Sequence, residues 1–316
     1  MTGATVTVRP GERGDREGVL ALARDALGWV GDDRDRRFFA WKHDENPYGA
    51  SPAWVAENDG RVVGFRTFLR WEFEAPGGRV VRAARAVDTA THPDFQGQGL
   101  FTRLTLEALD ALAADGVGLV FNTPNPRSRP GYLKMGWAVV GRPPLLVRPC
   151  SLAALPRIAL ARAPAAKWSL AADGQPAADV LADAGPLLAH LGPPTGLRTR
   201  RTPAYLAWRY RFPELAYRAV VTDDGVAVYR VRERGHAREV TVADVLAPPH
   251  AQPELLRRIA SEARGDFLLR IGPSRRRIGF DVPFPRQGPV LTARSLAEPI
   301  PPLANWELAL GDLELF

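Results

Sequence analysis

The hydrophobic pattern begins with an alternating run, Thr5 to Arg9, which predicts an opening strand. Leu20, Leu22 and Leu27 then fall at helical spacing, in a helix entered near Asp15. Arg36 to His43, carrying Phe38, Phe39 and Trp41, is helical in character until Asn46-Pro47-Tyr48-Gly49 stops it. Ala53 to Glu57 and Val62 to Trp71 predict two strands joined by the hairpin signal Asn58-Asp59-Gly60. A turn at Pro76-Gly77-Gly78 leads into a strand over Val80 to Thr91. From there the chain crosses a His-Pro-Asp turn and a glycine-bearing loop, and enters a helix whose stripe includes Leu100, Leu104, Leu106, Leu109 and Leu112. An apolar run, Val117 to Phe121, follows, and Leu145 to Val147 closes the first unit near Pro149.

Ala153 to Pro194, rich in Ala, Leu and Pro, reads partly as helix and partly as connection. Beyond it the pattern repeats. Leu206-Ala-Trp-Arg-Tyr210 before Pro213 echoes Phe39-Ala-Trp-Lys-His43 before Pro47. Ala219 to Thr222, Asp223-Asp224-Gly225 and Val226 to Val231 echo the strand, turn and strand of the first half, and Ile278-Gly279-Phe280 echoes Met135-Gly136-Trp137. Leu291 to Leu296 matches Leu146 to Leu152 in the same way. A tandem duplication of one α/β unit follows, with a first domain over residues 1–149, a connecting segment over 150–195 and a second domain over 196–316. In the second copy the strand Glu239 to Leu246 runs into Ala247 to Pro253, where prolines replace glycines before the helix Glu254 to Arg264. Trp306 to Phe316 is expected to supply a last strand.

The chemistry of the first half centres on Gln96-Gly97-Gln98-Gly99-Leu100-Phe101. Glycines at 97 and 99 leave the backbone without Cβ obstruction, so successive N–H groups can converge on an anion at the start of a helix. No Gly-Lys-Ser/Thr follows, which excludes a Walker loop, and the third glycine of a dinucleotide fingerprint is missing. Downstream stand Asn125, Ser128, Tyr132, Gly136 and Trp137. Together the two stretches resemble the GNAT superfamily of acetyl-CoA-dependent N-acetyltransferases. Gln96, Gly99 and Phe101 fall at the places of its coenzyme loop, and the downstream residues match its following strand and helix. Phe101 departs from the family's small residue.

The resemblance implies a mixed α/β (α+β) fold of two tandem GNAT-like domains, each a mostly antiparallel mixed sheet with flanking helices, the second degenerate. It implies transfer of an acetyl group from acetyl-CoA to a primary amine by direct attack on the thioester. The coenzyme is then expected where Val87 to Thr91 and Leu119 to Thr123 splay apart. The backbone of Thr89 and Thr91 would pair with its pantetheine arm, and an N–H near Thr89 would polarise the carbonyl. Amides of Gln96, Gly97, Gln98, Gly99, Leu100 and Phe101 would hold the pyrophosphate, Asn125 would contact the coenzyme, and Tyr132 would be the general acid. Asp88 is either the base or a residue that bonds a backbone amide or orients the substrate. His92 reads as a turn residue and Phe38, Phe39 and Trp41 as core, while nothing in the sequence fixes the direction of Glu57 or Arg66. Another acyl group, or a sensor that binds acyl-CoA without turnover, are the alternatives.

Composition narrows the partners. Cys150 is the only cysteine, and the five histidines show no metal-ligand spacing, so no metal is expected. No apolar run reaches membrane-spanning length and no signal-like segment opens the chain, which predicts a cytoplasmic protein with no membrane partner. The net charge of +7 invites nucleic acid, yet the excess is nearly all arginine, spread along the chain. Lys42, Lys134 and Lys167 are the only lysines, and Arg275-Arg276-Arg277 sits in a Gly-Pro-rich turn that reads as a solvated loop. A small-molecule or protein amine is the expected partner, and a homo-oligomer stays open.

Overall fold

The computed structural model describes residues 6–29, 32–272, 281–283 and 288–314. The Arg275–Arg277 cluster and the Ile278–Phe280 echo lie outside the described residues, as do Thr5 and Phe316. The chain forms two compact units.

The first unit comprises residues 1–73, 80–140 and 291–301. Its elements are β1 (Thr7–Pro10), α1 (Arg16–Leu27), α2 (Asp33–His43), β2 (Ala53–Asn58), β3 (Arg61–Glu74), β4 (Val80–Thr91), α3 (Leu100–Ala114), β5 (Leu119–Asn122), α4 (Arg129–Lys134) and β6 (Ala138–Gly141), joined by a late strand, Leu291–Ser295. Asp59 and Gly60, with φ of 50° and 76°, make the β2–β3 turn, whose left-handed backbone conformation an Asp-Gly pair accepts readily. The sheet runs β1-β2-β3-β4-β5, then Leu291–Ser295, then β6. β1 and β3 flank β2 antiparallel, whereas β4 and β5 pair in parallel. One face is covered by α3, whose Leu100, Leu104, Leu109 and Leu112 pack with Trp54, Phe68, Val120, Tyr132 and Trp137.

The second unit comprises residues 74–79, 141–290 and 302–316. Among the described residues the strands of its sheet run Val282–Pro283, Leu145–Pro149, Phe267–Ile271, Ala237–Leu246, Gly225–Arg234, Arg218–Thr222 and Gln175–Pro176. It contains the same sequence of moves as the first: a helix (Pro203–Tyr210), a hairpin, a long strand (Ala237–Leu246), a helix (Gln252–Glu262) and a strand returning in parallel (Phe267–Ile271). Leu255, Leu256 and Ile259 of its crossover helix share a core cluster with the strand residues Ala227, Tyr229 and Val240.

Two expectations are corrected. Leu145–Val147 does not end the first sheet. It pairs antiparallel with Leu269–Ile271 in the second sheet, and Leu291–Ser295 takes the corresponding place beside β5, with Thr292 opposite Asn122 and Ser295 opposite Leu119. Nor do the described residues of the expected last strand, 306–314, form one strand. Trp306–Glu307 is a two-residue strand parallel to Leu197–Arg198, and Leu310–Leu313 is a helical turn, in which the Asp312 carboxylate caps the Ala309 amide.

Candidate active site

The site is built where β4 and β5 part. Their parallel pairing covers Ala83–Arg85 against Leu119–Phe121, but β4 continues to Thr91, so Ala86–Thr91 and the chain after Asn122 diverge. Thr89 Oγ1 donates to the carbonyl of Phe65 at 3.0 Å and Thr67 Oγ1 to that of Asp88 at 3.3 Å, which fix the end of β4 against β3. The His92 amide continues the pairing by donating to Val63 O. His92 itself serves the turn: its Nδ1 accepts from the Asp94 amide at 3.3 Å.

Beyond that turn the loop forms a concave row of amides. Gly97 and Gly99 have φ of 76° and 74°, and Gly99 is the N-cap of α3. Among the described residues, the amides of Gly97, Gln98, Gly99, Leu100 and Phe101 have no backbone acceptor, whereas those of Phe95, Gln96, Thr102 and Arg103 do. A Cβ built on either glycine meets nothing within 4 Å, so open space lies in front of the row. Five free donors in succession at a helix N-terminus suit a pyrophosphate. A cavity of about 310 Å³ lies here, lined by Thr89, Thr91, Gln96, Gly97, Gly99, Leu100 and Phe101 among others. Gln98, Asn125, Asp88 and Tyr132 do not line it. Gln98 Nε2 donates to Asp94 O, and Asn125 Oδ1 accepts from the amides of Arg127 and Ser128 at 3.0 and 2.9 Å, shaping the entry to α4.

The large side chain at 101 finds room on α4 rather than in front of the amides. Its ring lies edge-on to Tyr132 with centroids 5.3 Å apart, above Gly131, where a Cβ would come within 3.1 Å. Tyr132 is buried between Phe101 and Trp137, and its hydroxyl accepts a 2.6 Å hydrogen bond from Arg66 Nη2. With its oxygen accepting, the phenolic O–H is free to donate. Sequence alternation left Arg66 undirected; an arginine within a largely apolar strand, Val62 to Trp71, is the signal that would have found it.

Asp88 has a different setting. Its Oδ2 accepts from Lys42 Nζ and His43 Nε2, both at 2.8 Å, from the last turn of α2. Burial alone would raise its carboxyl, but the Lys42 charge and the bonds from His43 and Lys42 outweigh it and hold the group well below the usual carboxylate range. Burial also pushes the His43 imidazole down, which favours the neutral ring, with its Nε2–H donating to the Asp88 carboxylate. A carboxylate so stabilised is a poor proton acceptor, which weighs for an orienting role over a base. The second unit repeats the contact: Asp244, on its long strand, accepts from Tyr210 at the end of the equivalent helix at 3.3 Å and from Arg201 at 2.8 and 2.9 Å. A helix end docked on a strand carboxylate is thus an architectural device of both units. Asp88→Asn is expected to lower stability by about 3–5 kcal/mol, since it removes the carboxylate from a buried ion pair, and thermal unfolding checks it. Because the folded value is depressed, this contribution is complete above the unfolded value near 3.9 and is lost as pH falls through the folded value.

Residues 7–140 match the family described as an acetyltransferase (GNAT) domain. Among solved structures, a GCN5-related N-acetyltransferase from Kribbella flavida shares the fold with a TM-score of 0.66 at 16% identity, over 92% of this chain and 72% of that one. Eis1 from Mycobacterium abscessus gives 0.60 at 16% identity, over 92% and 74%. A GCN5-related N-acetyltransferase from Anabaena variabilis gives 0.59 at 12%, over 92% and 73%. No curated protein matches the chain. The splayed strands, the amide row and Tyr132 all lie within residues 7–140, the stretch that matches the acetyltransferase (GNAT) domain family.

Proposed function

We propose that the first unit transfers an acetyl group from acetyl-CoA to a primary amine. The observation that carries this reading is the row of five unpaired amides, Gly97 to Phe101, at the mouth of the parted strands. Bound there, the coenzyme supplies an activated thioester. The chain's own part is to orient, polarise and exchange protons. Gly97 to Phe101 take the phosphate charge, and the free edge of β4 from Thr89 to Thr91 receives the pantetheine arm and directs an amide at the carbonyl oxygen, where negative charge develops. Tyr132 gives its proton to the departing sulfur. Asp88, with Lys42 and His43, holds α2 against β4 and so sets the wall on the acceptor side. Asn125, with its Oδ1 committed to Arg127 and Ser128, contributes by placing α4.

The second unit is read as a duplicated copy without coenzyme. Its loop between Leu246 and Gln252 has no glycine, and Pro248 and Pro249 lack the donors that a phosphate needs. Titration with acetyl-CoA under tight-binding conditions should therefore give a stoichiometry near one per chain. A value near two would mean the second unit also binds, and no binding would remove the cradle assignment.

A further inference from the structure

Arg66 is the one oddity in charge near the site. It is 0% exposed, and among the described residues only Nη2 has a hydrogen-bond partner, the Tyr132 hydroxyl. Its Nε and Nη1 are buried with no acceptor among the described residues. The rings of Phe68, Phe101 and Tyr132 surround it, with centroids 5.0, 5.2 and 5.1 Å from the guanidinium carbon. Among the described residues no carboxylate pairs with it. Two other buried arginines, Arg230 and Arg209, both reach Glu314. A guanidinium cannot shed its proton, and a buried cation without a counter-charge is strongly disfavoured. Aromatic faces offset only part of that cost.

Such an arrangement is understandable if the missing negative charge develops during the reaction. Donors fixed in advance toward charge that forms only in the transition state need no reorganisation when it forms. Tyr132 is where that charge would form. We propose that Arg66 is the positioning residue of the general acid, an inference that rests on the acyltransferase reading above. Arg66 holds the Tyr132 oxygen through its lone pair and so aims the phenolic proton at the sulfur. As the amine nitrogen bonds to the acyl carbon, the C–S bond breaks and its electron pair goes to sulfur. The Tyr132 proton follows it, and the phenolate left behind lies against the guanidinium. The proton lost by the attacking amine, carried by solvent, restores the phenol.

The test uses the full chain with Arg66→Met, Arg66→Lys and Arg66→Met combined with Tyr132→Phe. Methionine fills the apolar cage without a charge, so Arg66→Met should melt no earlier than wild type, and acetyl-CoA affinity by calorimetry should be unchanged. Its kcat should fall about 10²-fold, as for loss of a general acid, with KM for the amine unchanged. The double variant should be no worse than either single one, because both remove the same step. Arg66→Lys should recover part of the rate. A readout without turnover is the ultraviolet band of the coenzyme A thiolate, followed with pH on the bound product. It should emerge at lower pH on wild type than on Arg66→Met. Coincident thiolate titrations, additive losses in the double variant, or a loss confined to KM of carboxylate-bearing substrates would each overturn the proposal, the last by making Arg66 a substrate anchor. If wild type itself binds no acetyl-CoA, it is the acyltransferase reading that fails.

Discussion

Tyr132→Phe is expected to lower turnover about 10²-fold or more, the loss typical of a general acid, while acetyl-CoA affinity changes little. The ring stays seated between Phe101 and Trp137, 5.3 and 5.1 Å away, so the surrounding packing is preserved. Only the hydroxyl is lost. An unperturbed phenol titrates near 10 and an ordinary thiol near 8.5, so donation from one to the other requires no unusual environment. The same change strips Arg66 Nη2 of its acceptor, at a cost of about 1–3 kcal/mol in stability. Melting temperature and turnover must therefore be measured side by side. Equal losses in binding and rate would make the hydroxyl a coenzyme contact, and full activity would remove it from the chemistry.

Gly99→Asp is expected to abolish coenzyme binding in a folded protein. The backbone there has φ of 74°, which costs a side chain about 1–2 kcal/mol. A Cβ meets no atom within 4 Å, so the native packing has no reason to move. The charge does the damage. Two like charges about 5 Å apart at an effective dielectric near 20 repel by about 3 kcal/mol, or about 10²-fold in affinity, before the second phosphate is counted. Gly99→Ala carries the strain without the charge and should retain most of the affinity. Calorimetry with both variants separates the terms; an aspartate that binds as well as alanine would show that no anion sits at this turn.

How far the sequence speaks depends on whether a feature is local. Val80–Thr91 and the start of α3 at Leu100 are legible because Pro76-Gly77-Gly78, His92-Pro93 and Gly99 mark them within a few residues. The exchange of Leu145–Pro149 and Leu291–Ser295 is not, since two short apolar strands carry no label naming their sheet. In Trp306 to Phe316 alternation suits a strand, but the Asp312 cap on Ala309 turns Leu310–Leu313 into helix. Asp88 could be placed beside the site from its strand alone. Its partners Lys42 and His43 lie 46 and 45 residues away and meet it only in the fold. Arg66 was hidden for a related reason: Val63 to Leu69 are buried on both faces of β3, so no inside–outside alternation singles the arginine out.

The central claim is that the first unit uses the cradle for acyl transfer rather than for sensing. Thiol release from acetyl-CoA, followed across a panel of small and peptide amines, tests it most directly. The account predicts amine-dependent release with wild type, reduced about 10²-fold in Tyr132→Phe and absent in Gly99→Asp. Coenzyme binding at one per chain with no amine accelerating thiol release would contradict it, and would leave a domain that binds acyl-CoA without turning it over.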